Sequence, residues 1–162
     1  MRRFALLAML ACVLAVPAAA LALSGGGDGT LSVRNGWGRV TLRFNGSAIG
    51  RVAHGSIRVV DPIPRDGLGV DFWNCERQET KGIAVTCSGE NIRFRAVGGR
   101  YLVTMRGSGI SLSAVGRGIA TLDGRGDDPD VTRDGVYSLN DAPYKSLPDD
   151  EKPIVLAAPA AG

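Results

Sequence analysis

Glycine falls close to every ninth residue through two long stretches of this chain, and apolar and polar residues alternate between the glycines. Residues 36–61 read GWGRVTLRFNGSAIGRVAHGSIRVVD and residues 98–123 read GGRYLVTMRGSGISLSAVGRGIATLD. A shift of 61 positions lays Gly38 on Gly99, Phe44 on Met105, Gly46 and Ser47 on Gly107 and Ser108, and Ile49 on Ile110. Alternation with period two is what a strand with one buried face demands, and glycine is the residue that lets an extended chain turn sharply. The spacing therefore predicts an all-β protein with an internal repeat, about 28–70 against 89–138. It should have about nine to ten short, mainly antiparallel strands, arranged as two duplicated meanders that pack as a sandwich or close into a barrel. Asn35-Gly36, Asn45-Gly46 and His54-Gly55 are the expected hairpin turns, because both central residues of a type I′ turn need a left-handed backbone. A β-solenoid is the alternative, since regular glycine also suits stacked rungs.

The alternation assigns faces. Val40, Leu42, Phe44, Ile92, Phe94, Tyr101, Val103 and Met105 fall on the inward side of their strands. Arg39, Arg43, Arg93, Arg95, Arg100 and Arg106 fall on the outward side, which predicts one arginine-lined sheet face if these strands share a sheet. Such a face has two readings. Arginine stems cover the pleats and keep the surface soluble, or the face binds an anionic partner such as an envelope polysaccharide or lipid headgroups.

Residues 1–22 read as a secretory signal peptide: Arg2 and Arg3, an apolar run, and small residues from Ala18 to Ala22. An uncleaved anchor is the alternative. Residues 23–28 are then a flexible leader, 29–147 a single β domain, and 148–162 a disordered tail without periodicity or enough apolar length to span a membrane. The whole chain has 19 basic and 16 acidic residues, and loss of Arg2 and Arg3 brings it close to neutral. That balance gives no reason to expect a nucleic-acid partner. The charge is uneven, with 13 basic and 7 acidic residues between Leu23 and Leu122, against 4 and 9 from Asp123 onward.

Cys75 and Cys87 are the cysteines left after cleavage, and in an exported protein a lone pair is expected to form a disulfide. A metal or redox role lacks the usual spacing, and His54 is the only histidine. A Ser-His-Asp or Cys-His hydrolase would have to use His54, which is placed in an exposed turn. A secreted hydrolase using a pair drawn from Asp61, Asp66, Asp71 and Asp123 is the alternative to a binding protein, although aspartate is also a common turn former. Asp123, Asp127, Asp128 and Asp130 crowd one acidic loop whose spacing does not fit a calcium-binding loop, and Arg125-Gly126-Asp127 is a three-residue match without further support. No metal or cofactor is expected.

The second half, GGRYLVTMRGSGISLSAVGRGIATLDG with the closing GVYSLNDAPYKSLP, resembles a group of small, uncharacterised, exported glycine-rich β-proteins of high-GC Gram-positive bacteria. The similarity covers roughly residues 29–148. It implies export and an all-β fold, and it brings no catalytic residues with it. The expectation is a non-catalytic exported cell-envelope or extracellular binding or structural protein.

Overall fold

The computed structural model describes residues 27–63, 69–125 and 134–159. The expected signal peptide, Asp66 and most of the acidic loop lie outside them. The described chain is all-β. Its elements are β1 (Gly29–Val60), β2 (Val70–Trp73), β3 (Arg77–Lys81), β4 (Ala84–Gly124), β5 (Val136–Leu139), β6 (Lys145–Ser146) and β7 (Lys152–Leu156). All pairings are antiparallel, and the sheet does not close into a barrel.

Two of these elements are extraordinarily long, and they pair with each other twice. In one ladder Gly29 faces Gly116, Leu42 faces Val103 and Val60 faces Ala84; in the other, Gly38 faces Gly124, Ile49 faces Ser113 and Val60 faces Leu102. β1 and β4 therefore wind together as an antiparallel ribbon that coils back onto its own edge. The glycines mark where the ribbon bends. Gly124, Gly38, Gly107, Gly55 and Gly89 are successive cross-strand neighbours in one row, and Gly29, Gly116, Gly46 and Gly99 in another. Each row is a crease, and between the creases lie two panels seven to nine residues deep, about 25 to 30 Å at the usual strand rise. The first panel holds 39–45, 56–60, 84–88, 100–106 and 117–123; the second holds 30–37, 47–54, 90–98 and 108–115.

The two panels face each other across a single core. A methyl group on Gly50, in the second panel, would meet Phe94 of its own panel and the Met105 side chain of the first panel at 3.1 Å. Strands that pass from layer to layer through bends are a known way to build corners in a sandwich. Through Gly46 and Gly116 the alternation runs on unbroken, with Phe44 and Ala48 buried on either side of one and Ala114 and Ala120 of the other, whereas at Gly55 and Gly107 it shifts by one residue, from Val52 to Ile57 and from Met105 to Ile110. All eight residues assigned inward by alternation are buried.

This arrangement departs from the expected meanders. Asn35-Gly36, Asn45-Gly46 and His54-Gly55 are not hairpin turns, and β1 continues through all three. Asn35 does have the left-handed backbone expected of it, with φ 50°. The same local conformation makes either a reversal or a bulged corner, and the partner strand decides which. Nor are the neighbours stacked rungs of one chain, as a solenoid would require. The register is symmetric about the Leu42–Val103 pair: Arg39 faces Arg106 and Asn45 faces Arg100. Leu42 and Val103 are 0% and 1% exposed. Leu42→Ala should cost about 2–5 kcal/mol and Val103→Ala somewhat less, read from urea denaturation midpoints.

Two further stretches carry more structure than expected. Residues 61–82 contain β2 and β3, and Cys75 and Cys87 form the disulfide that ties this excursion to β4, with Cα atoms 5.3 Å apart. Every residue of β3 is exposed, and its sequence RQETK gives the free edge a charged surface that resists pairing with another chain. With the disulfide formed, the protein should weigh two hydrogens less than its reduced form. Replacing both cysteines by alanine should cost about 2–3 kcal/mol, the scale for a loop of this length. Free thiols in freshly isolated protein would contradict the pairing.

The expected disordered tail instead contributes β7, which pairs with residues 118–122 of β4. Leu147 and Leu156 are buried in the core. Pro153 is tolerated because β7 is an edge strand, where a missing N–H breaks no ladder on the solvent side. Arg39 helps hold the tail, donating to Asp123 at 2.8 Å and Glu151 at 2.7 Å. The end of the expected leader is also engaged, since Ala158 N donates to Gly27 O and Arg117 pairs with Asp28.

Candidate functional site

The creases distribute the six arginines over two layers. Arg39, Arg43, Arg100 and Arg106 project from the first panel, and Arg93 and Arg95 from the second, so they do not gather on one face. Alternation along a strand says which side of the sheet a residue takes, but not which panel it lies in. Arg39 is committed to Asp123 and Glu151. Around Arg106 the first panel offers only a small hollow of about 230 Å³, shared with Arg58 and hydroxyls of Ser56, Thr86 and Thr104.

The second panel is different. Its outer side carries a cross-strand row Ser111, Arg51, Arg93, Trp73, each the direct ladder partner of the next. Four strands at the usual spacing make this row about 14 Å long. Two residues along, the parallel row is Ser32, Ser113, Ile49, Arg95, Asp71. The small serines form a valley between the long side chains of Arg51 and Ile49 on one side and Arg34 on the other. The result is an open groove of about 750 Å³ in which Arg34, Arg51, Arg93 and Trp73 converge and to which no carboxylate among the described residues contributes. Trp73 is 47% exposed and Ile49 58%.

Arg51 and Arg93 are like charges placed directly opposite each other, an arrangement that costs stability in a sheet. Neither makes an ion pair among the described residues. Arg34 is held differently: its guanidinium lies 4.4 Å from the centre of the Tyr144 ring. Of the groove's arginines, alternation and charge point to Arg93 alone, with Arg95 in the neighbouring row. Arg34, Arg51, Trp73 and the three serines escape that reading, because the alternation in SVR and SLSA is visible but their neighbours come from segments up to about 80 residues away.

Of the residues considered for hydrolysis, Asp66 lies outside the described residues and the described ones are held apart by separate partners. Asp61 accepts a hydrogen bond from Ile63 N, Asp71 lies opposite Arg95, and Asp123 is paired with Arg39. His54 sits beside a crease with Ser108 and Glu90 as its two cross-strand neighbours, and its Nδ1 is 3.3 Å from Glu90. Both side chains of that pair are nearly two-thirds exposed, and no hydrogen bond joins Ser108 to His54 among the described residues. Nor do the described residues contain a cluster of three or more His, Cys, Asp or Glu able to hold a metal ion, or a helix long and apolar enough to cross a membrane. No family model, curated protein or solved structure matches the chain.

Proposed function

We propose that this chain is a non-catalytic binding protein acting outside the cytoplasm, and that the groove of its second panel holds a segment of an anionic polysaccharide. The observation that carries this reading is the row of Ser111, Arg51, Arg93 and Trp73 in a groove that no carboxylate among the described residues lines. Guanidinium groups present a planar fork matched to carboxylate, sulfate or phosphate oxygens, and such charge-assisted hydrogen bonds are the strong ones. An anion between Arg51 and Arg93 also relieves their mutual repulsion, so the cost left in the free protein favours the bound state. Trp73 supplies a flat apolar surface with one N–H donor for the less polar side of a sugar ring, and the serines supply hydroxyls able to donate and accept. The Cys75–Cys87 disulfide suits an oxidising compartment, in keeping with export and an envelope or extracellular setting.

A lipid surface is the second reading, favoured by the exposed apolar side chains of Ile49, Val97 and Val115 beside Arg95. The polysaccharide is preferred because the charged part of the face is concave and floored by serine. Calorimetric titration with polygalacturonate, a glycerol-phosphate polymer and anionic phospholipid vesicles separates the two over a salt series. Binding to the soluble polymers that weakens steadily as salt screens the arginines supports the proposal. Binding to vesicles alone, or to nothing at low salt, overturns it.

A further inference from the structure

The groove does not stop at Arg34. A second cleft of about 480 Å³ adjoins it, with Ser32, Arg34 and Ser113 common to both. Its remaining polar lining is of opposite character, the hydroxyls of Thr30 and Tyr144 and the carboxylate of Asp141, with Leu31, Val115, Ala142 and Pro143 between them. Resting on the reading above, we propose that the two clefts form one extended site for a polymer in which acidic sugars alternate with hydroxyl-rich uncharged or amino sugars. The acidic sugar lies against Arg51 and Arg93, and the next lies beside Asp141.

The wall of the second cleft is firmly built. Asn140 and Asp141 both adopt left-handed backbone, with φ 51° and 57°, a conformation that aspartate and asparagine tolerate better than other side chains. Asn140 accepts from Thr30 N at 2.9 Å and donates to Ala157 O at 2.8 Å, while Ser138 Oγ donates to Ala142 O at 2.6 Å. These bonds fix the loop that carries Tyr144. Its ring packs under the Arg34 guanidinium, and its hydroxyl is 3.0 Å from Ser32 Oγ. Tyr144 therefore stands at the junction of the two clefts and orients the arginine that both share. From β2 to β5 the face crosses six strands, about 24 Å at the usual spacing, which is a path for a chain rather than a pocket for one sugar.

Charge changes along that path. Among the described residues, three arginines without a carboxylate at one end, and one carboxylate among hydroxyls at the other, match a polymer whose charge is intermittent. A uniformly acidic chain would meet Asp141 with its own negative groups.

The test uses the full secreted chain and two oligosaccharide series from disaccharide to decasaccharide. One alternates glucuronic acid with N-acetylglucosamine, and the other is oligogalacturonate. Affinity for the alternating series should rise about tenfold or more with length, the equivalent of about 1.4 kcal/mol, and should exceed that for oligogalacturonate at the longer lengths. Tyr144→Ala should lower affinity for the alternating decasaccharide more than for the disaccharide, and Tyr144→Phe, which keeps the ring under Arg34, should largely restore it. Asp141→Asn, which keeps the backbone preference, should narrow the gap between the two series. Affinity independent of length, or tighter binding of oligogalacturonate at every length, overturns the extended site and leaves the Arg51–Arg93 groove standing. No binding of either series at low salt overturns both.

Discussion

Replacing Gly55 and Gly107 together by alanine should leave the protein unfolded. These residues face each other on a crease, and the backbones approach so closely that a methyl group on Gly55 would lie 2.0 Å from Arg106 O, and one on Gly107 2.0 Å from His54 O. Neither obstacle is a flexible side chain. Both residues also have φ in a region that side chains rarely enter, 147° and 130°, which alone costs of order 1–3 kcal/mol per residue. Relieving the clash means separating the ladder at the bend, where β1 and β4 hold each other on both edges. The combined loss approaches the whole stability of a domain, about 5–15 kcal/mol. Gly69→Ala is the control, since nothing lies within 4 Å of the added methyl, and it should change stability by less than about 1 kcal/mol. Far-ultraviolet circular dichroism and urea titration of the three proteins decide the matter. A cooperative double variant with near-native stability would mean that the creases are not the close contacts described.

Arg51→Gln with Arg93→Gln should abolish most binding of acidic polysaccharide while leaving the protein at least as stable as before. Each arginine offers a charged donor pair to the ligand, and hydrogen bonds to charged groups contribute about 1.5–3 kcal/mol each, so losing two lowers affinity about a hundredfold or more. Stability moves the other way. The two side chains are direct cross-strand neighbours of like charge, so neutralising them removes a repulsion of up to about 1 kcal/mol. A variant with merely damaged folding would lose both affinity and stability, and the opposite signs separate the explanations. The salt dependence should flatten as well, because the screened charges are gone. Equal binding by wild type and double variant would assign the groove's arginines to solubility alone. Arg95→Gln should matter less, since Asp71 already lies opposite Arg95.

The inward and outward sides of the strands were open to reading because a pleated chain has period two wherever it goes. Val40, Leu42 and Phe44 are buried for the same reason as Tyr101, Val103 and Met105. The Cys75–Cys87 bond was readable because these are the two cysteines outside the expected signal peptide. Tyr101 shows where local reading ends: its ring lies over the place where Gly99 would carry a side chain, and its hydroxyl donates to Val97 O at 3.0 Å. That contact is visible only once the crease at Gly99 is known. β7 had no periodic signal, because a five-residue edge strand with a proline can be stabilised almost wholly by what it docks against: Leu156 in the core and Glu151 on Arg39.

The all-β character, the side of the sheet each strand residue takes and the glycine spacing are written locally along the chain. All three follow from backbone geometry within a few residues. That the glycines are creases rather than hairpin turns, and that β1 and β4 are each other's partners on both edges, rests on contacts between distant segments. Asn-Gly favours a left-handed bend whichever strand comes next, whereas pairing is settled by burial and hydrogen bonding between residues far apart in the chain. The functional face depends on that second kind of information. Arg34, Arg51, Arg93 and Trp73 are close only because the creases place segments of β1, β4 and β2 side by side in one panel, while Arg39, Arg43, Arg100 and Arg106, identical in their local pattern, fall on the other.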